Sequence, residues 1–275
     1  MRVAVSNIAW PDGEDEKAAE LLVTHGVEGV EIAPPKVFPD PMAASPGEIK
    51  RHRAFWESRS IQVVALQALL YRKPDLVLFG DDTVREALLD HLVGMMRIGE
   101  TLGARILVLG APGCRRLLGR PPKEASSIAT EFLRRAGQAA CEHGVQLCIE
   151  PNPAHYGCEF VTNSKEGRDL VRSVASPGIC LHLDAAAMHL AGEAFEGALA
   201  PDPLPAHIHA SEPDLATLGT GAVDHETLSK VLRARGYRGW VSVEMRAPAT
   251  DPLGAVSATL AFAQRVYGSN TNVSS

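Results

Sequence analysis

Val145-Gln146-Leu147-Cys148-Ile149-Glu150-Pro151-Asn152 is the stretch whose reading decides the fold. Val145, Leu147 and Ile149 fall on one face of an extended chain, and Gln146, Cys148 and Glu150 fall on the other. Pro151 has no N–H to give and stops further pairing. A strand buried on both faces carries a polar residue only where that residue finds a partner. Glu150 stands at the C-terminal tip, the end at which α/β sheets and α/β barrels assemble their chemistry.

The same strand-then-helix rhythm runs outward in both directions. Apolar runs closed by turn residues predict strands over 2–6, 27–33, 61–66, 104–109, 145–150, 178–184, 206–210 and 240–244. Helical periodicity falls between them, over 14–25, 46–59, 82–102, 121–143, from 163 onward, 186–197, 224–235 and 251–267. Ser45-Pro46-Gly47-Glu48 reads as an N-cap, a proline at the first helical position and a capping-box glutamate, and Asn163-Ser164-Lys165-Glu166 opens another helix. Eight units of about 34 residues, with no Gly/Ser-rich linker, match a single-domain (β/α)8 TIM barrel over 1–267 better than a doubly wound sheet. The polar residues 268–275 read as a disordered tail.

Bulk properties remove several classes of function. With 45% hydrophobic and 22% charged residues the chain has the makings of an ordinary globular core. A net charge of −6 argues against a nucleic-acid surface. The five cysteines are odd in number and form no CxxC pair, which suits a reduced, cytoplasmic setting with thiols as small packing residues, Cys148 and Cys180 among them. The apolar run at the N-terminus is too short for a signal peptide, and no span of about 20 apolar residues is present, so a membrane role is not expected.

In a barrel, all strand C-termini share one mouth. Strands five to eight bring Glu150, Asp184, His209 and Glu244 to it, one per unit. One acidic residue at a strand end is commonly a helix cap, and one histidine is commonly a satisfied core residue; four on consecutive strands make a ligand set. Three carboxylates with no cation would repel one another and raise each other's pKa. Two Glu, one Asp and one His suit a single divalent ion, Mn²⁺ first, with Mg²⁺, Co²⁺ or Zn²⁺ as alternatives.

Ile149-Glu150-Pro151-Asn152, Leu183-Asp184, His207-Ile208-His209 and Val243-Glu244, with Leu218-Gly219-Thr220-Gly221-Ala222-Val223-Asp224 after strand seven, resemble the motifs of the xylose isomerase-like TIM barrels. Within them the chain is most similar to the sugar isomerase/epimerase group that includes the ketose 3-epimerases. The resemblance implies that Glu150, Asp184, His209 and Glu244 hold one metal. It also implies that Glu150 and Glu244 act as acid and base on opposite faces of a sugar or sugar-like keto substrate. Two departures stand out: Ala187 and Leu215 occupy positions where the ketose epimerases carry a substrate-holding His and Arg. His189 lies two residues past the first of these. Dehydration by a lyase on a related substrate therefore stays open beside isomerisation. An apurinic-site endonuclease shares this fold but needs about three zinc ions and a basic groove, whereas strands two and three end here in Glu31 and Gln67. A non-catalytic binding barrel is the remaining alternative. The expected partners are a small sugar-like molecule and a second copy of the chain in a homodimer, with neither nucleic acid nor membrane.

His207 and His182 sit two residues before ligands on the same strand face and are expected one layer deeper, behind the metal. Glu212 is expected to orient His209 or to meet substrate, with a plain loop hydrogen bond as the equal alternative. Substrate contacts are expected from Asn7, Trp10, Glu31, Gln67, Tyr156 and Arg246, Arg246 foremost because a cation two residues past Glu244 suits an anionic group or balances the carboxylates. Arg115, Arg116 and Arg120, in the loop after strand four, read either as a phosphate cradle or as a solvated loop.

Overall fold

A computed structural model describes residues 1–268, so the expected tail lies, past its first residue, outside the described chain. Eight parallel strands close into a barrel in the order of the sequence: β1 (Arg2–Ser6), β2 (Gly29–Ile32), β3 (Gln62–Leu66), β4 (Ile106–Leu109), β5 (Gln146–Ile149), β6 (Ile179–Asp184), β7 (His207–Ser211) and β8 (Trp240–Glu244). Closure is made by β8 against β1, with Arg2 opposite Trp240 and Val5 opposite Val243. A principal helix follows each strand: α1 (Asp15–Thr24), α2 (Pro46–Glu57), α3 (Asp82–Leu102), α4 (Pro122–Glu142), α5 (Ser164–Val174), α6 (Ala185–Leu190), α7 (His225–Ala234) and α8 (Pro252–Tyr267). The expected (β/α)8 architecture is borne out.

The helices begin where local chemistry directs. Ser45 and Glu48 form a reciprocal capping box on α2, Asn163 caps α5, Asp224 caps α7 and Asp251 caps α8. One expected helix divides. The alanine-rich run 186–197 yields α6 and a separate turn, Phe195–Ala198, with Gly192 between them at φ +67°.

Two apolar regions hold the barrel. The larger lies between the outer face of the strands and the helices, with Leu22, Trp56, Leu92, Phe132 and Leu260 among its buried members. The smaller plugs the lumen with Ala4, Ala65, Ile106, Val108 and Cys148, and Trp240 packs against it. Gly29 makes room for that indole, since a Cβ there would lie 2.7 Å from it. Above the plug the lumen turns polar. Register sets His182 beside His207, Asp184 beside His209, and Ser211 beside Glu244. A register shift between Val30 and Glu31 interrupts the β2–β3 pairing where Glu31 turns in toward the histidines.

Candidate metal and acid–base site

Buried histidines and carboxylates stack in two layers at the C-terminal end of the lumen. In the lower layer the Glu31 carboxylate accepts from Nε2 of His209 at 3.0 and 3.1 Å and from Nε2 of His207 at 3.2 Å. His182 packs edge-on against His209, ring centroids 4.2 Å apart, and neither of its buried nitrogens has a hydrogen-bond partner among the described residues. With Nε2 committed to Glu31, His209 turns Nδ1 toward the mouth, 3.2 Å from Oε2 of Glu244. That Nδ1 is buried and has no well-aligned hydrogen bond.

The upper layer holds the carboxylates. Asp184 ends β6 and also caps α6, its Oδ1 accepting from the Ala187 N–H at 2.7 Å. Its Oδ2 accepts from the Ser211 hydroxyl, which itself accepts from Ala186 N–H at 3.1 Å. Both the helix-cap reading and the ligand reading of Asp184 therefore fit one geometry, because each carboxylate oxygen has a second lone pair. Glu150 leans over Gly110, where a Cβ would lie 1.6 Å from its Oε2, so the residue after β4 has to be glycine for this carboxylate to lie as it does. Ligand atoms from Asp184, His209 and Glu244 lie within 4.8 Å of one another, as do those of Glu150, His182 and His209.

Electrostatics mark the cluster as one that a cation would stabilise. Burial first, then the charges of Asp184 and Glu244, push the Glu150 carboxyl up to about 8. Burial and Glu244 push Asp184 up to about 6. His209 behaves oppositely: burial disfavours its charge, but Glu31 and Glu244 outweigh that and raise its pKa well above the ordinary value. Burial likewise opposes ionisation of Glu31, and His209 and His207 overcome it, holding the carboxyl well below the usual range. A divalent ion at the mouth would relieve the crowding of negative charge and replace the proton on Nδ1. The residues fit such an ion. The Glu31–His209 pair is the carboxylate–histidine arrangement that fixes a ligating imidazole.

Above the carboxylates lies an open cavity. Its central lobe of about 540 Å³ reaches Glu150, Glu244, Gln67, Leu215 and Arg246, and a second lobe of about 490 Å³ reaches Asp184, Tyr156 and Glu212. The Arg246 side chain makes no ion pair among the described residues and faces both lobes.

The family profile of xylose isomerase-like TIM barrels matches residues 19–266. The chain belongs to that family. Solved structures with the same fold include a D-psicose 3-epimerase (TM-score 0.83, 17% identity, 98% of this chain and 100% of that one) and an L-ribulose 3-epimerase (0.82, 19%, 97% and 94%). The IOLI protein with a bound zinc atom is a third (0.77, 19%, 97% and 98%). No curated protein matches the sequence.

Against the family's barrel frame, several expected contacts move. Glu31 is not a substrate contact; it is wholly buried between His207 and His209. Glu212 does not orient His209. It lies at the edge of the cavity, and its carboxylate takes the backbone N–H groups of Gly219 and Val223 and Nε2 of His225, each at 3.2 Å. Asn7 ties β1 to β2, accepting from Ala33 N–H at 2.9 Å, while its carbonyl holds Lys36. Trp10 is buried beside Trp56 and donates to Asp15 at 2.7 Å. Gln67 lines the central lobe and donates to the Ser6 hydroxyl. The three arginines of the β4 loop do not converge on an anion. Arg115 is buried against Asn152, Arg120 binds the carbonyls of Phe79 and Gly80 together with Glu124, and Arg116 is exposed. His189 is exposed, and Cys148 and Cys180 pair in register as packing residues. Ser211, which sequence reading passed over, holds Asp184; its position two residues past His209 on the same strand face was the available signal.

Proposed function

We propose that this protein is a metal-dependent isomerase or epimerase of a keto sugar or sugar-like polyol, acting by proton transfer at a carbon next to a carbonyl. The observation that carries this reading is the convergence of Asp184, His209 Nδ1 and Glu244 at the mouth of the cavity, with Glu150 beside them. Glu150, Asp184, His209 and Glu244 would hold one divalent ion, Mn²⁺ being the best match to three carboxylates and one imidazole. When bound, the ion supplies Lewis-acid polarisation of the substrate carbonyl. The structural neighbours that are named as sugar epimerases, and the one that holds zinc, agree with this reading.

Glu150 and Glu244 are the acid/base pair in this account. One carboxylate takes the proton from the carbon beside the carbonyl, and the other returns a proton to the opposite face. Gly110 keeps the approach to Glu150 clear. Ser211 and the N-terminus of α6 hold Asp184 still, and Glu31 fixes the tautomer and tilt of His209. Gln67, Tyr156 and Arg246 line the cavity and would meet the substrate's oxygens. Incubation of ketoses with the Mn²⁺-loaded protein in D₂O tests this: solvent deuterium is expected at a carbon next to the carbonyl. Glu150→Gln and Glu244→Gln are expected to lose exchange while folding normally. Full exchange in both variants would refute the acid/base roles.

A further inference from the structure

The central lobe does not end at the carboxylates. It shares Ile8, Ala68 and Tyr71 with an outer lobe of about 400 Å³, to which Asp12, Lys36 and Arg72 also contribute. Pockets of about 300–1,000 Å³ take a drug-sized ligand whole. The central lobe of about 540 Å³ is therefore ample for one sugar ring, and the outer lobe is additional space across the three residues they share.

The wall between the two lobes is built with care. Tyr71 is 55% exposed, and its hydroxyl makes no hydrogen bond among the described residues. The loop presenting it is anchored on both sides: Leu69 and Leu70 are buried, and Nε2 of His91, on α3, meets the Leu69 carbonyl at 2.8 Å. Ala68 at φ +55° and Arg72 at φ +58° bracket the ring in the left-handed region, which is unfavourable for a residue bearing a Cβ. Strain of this kind persists where surrounding structure enforces it, and here it fixes an aromatic face at the mouth of the cavity. The Arg72 guanidinium sits 5.2 Å from the centre of that ring.

From this geometry we infer that the substrate is a glycosylated keto sugar, one ring over Glu150 and Glu244 and a second sugar unit in the outer lobe against Tyr71. This rests on the isomerase/epimerase reading and extends it. An aromatic face with a cation and a carboxylate beside it suits the C–H face and hydroxyls of a sugar. It suits a phosphate poorly: Lys36 Nζ is held by the carbonyls of Asn7 and Trp10, and Asp12 faces the same lobe as Arg72.

Four probes test this with the Mn²⁺-loaded protein: D-fructose, lactulose (fructose carrying galactose on O4), isomaltulose (fructose carrying glucose on O6) and D-fructose 6-phosphate. Binding is read by calorimetry and proton exchange by deuterium incorporation in D₂O. At least one disaccharide is expected to bind about ten-fold tighter than fructose, and Tyr71→Ala is expected to cut the disaccharide-to-fructose affinity ratio to near one. Equal affinity for fructose and both disaccharides, tightest binding of the phosphate, or a ratio unmoved in Tyr71→Ala overturns the second subsite. Exchange on fructose with no disaccharide preference overturns the subsite and leaves the isomerase reading standing. A Tyr71-dependent disaccharide preference with no exchange on any probe upholds the subsite and overturns the isomerase reading. Absence of both binding and exchange overturns both.

Discussion

Glu31 has no route to the substrate, yet it controls the atom that faces it. Its carboxylate holds Nε2 of His209 and so points Nδ1 at Glu244. Glu31→Gln is therefore expected to weaken Mn²⁺ binding about ten- to a hundred-fold, as loss of a ligand's outer hydrogen-bond partner does elsewhere. Free-Mn²⁺ paramagnetic resonance during titration checks this, and unchanged affinity would show that Glu31 is mere filling. Gly110 makes a sharper test, because the three atoms nearest its Cβ position all belong to the Glu150 carboxylate. Gly110→Ala is expected to displace that carboxylate and abolish deuterium exchange while the circular dichroism spectrum stays that of the parent. Glu150 was legible from the sequence as a strand-tip carboxylate; the role of Glu31 was not. Its partners lie 176 and 178 residues away across the lumen, and no local pattern reports a contact of that range.

Among the elements, strands were easier to place than the loops after them. Apolar runs stopped by Pro151, or by Pro34 and Pro35, declare themselves, as do capping boxes such as Ser45/Glu48. The division of 185–198 was hidden because its alanines read as one continuous helix, and only the left-handed Gly192 separates the pieces. The loop after β7 shows what its glycines serve. Gly219 and Val223 give their N–H groups to Glu212, which also meets His225, and His225 Nδ1 lies 2.6 Å from the Tyr267 hydroxyl on α8. Glu212→Ala would leave the buried Val223 N–H and His225 Nε2 without this partner, at a cost of about 1–3 kcal/mol. Chemical denaturation is expected to record that loss, with metal stoichiometry unchanged. A loss of metal with stability intact would instead restore the link from Glu212 to His209.

At the scale of the whole molecule, the mouth of the metal-free barrel is a store of unfavourable charge. A carboxyl whose folded-state pKa lies above its unfolded value binds its proton more tightly when folded. Its stabilising contribution is therefore complete below the unfolded value and lost as pH rises through the folded one. For Glu150 that window runs from about 4.5 to about 8, and for Asp184 from about 3.8 to about 6. His209, raised well above 6.5, acts in the same direction at higher pH. His182, His52 and His225, held below the ordinary histidine value by burial, act the other way under about pH 6.5. Chelator-treated protein is thus expected to lose thermal stability from pH 7 to pH 8, and Mn²⁺ is expected to stabilise it more at pH 8 than at pH 7. Stability that rises from pH 7 to pH 8 in the chelated protein would contradict this. The barrel and its rhythm of one polar residue at each of four strand tips were readable from the sequence because strand spacing repeats. The shape of the cavity was not, because it is made by loops from different units, such as those bearing Tyr71, Leu215 and Arg246.

Metal content tests the central claim most directly. Gently dialysed protein, assayed by elemental analysis after exposure to Mn²⁺, is predicted to hold one divalent ion per chain, and His209→Ala and Glu150→Ala are predicted to hold none. A metal-free parent, or variants that keep the ion, would contradict the account.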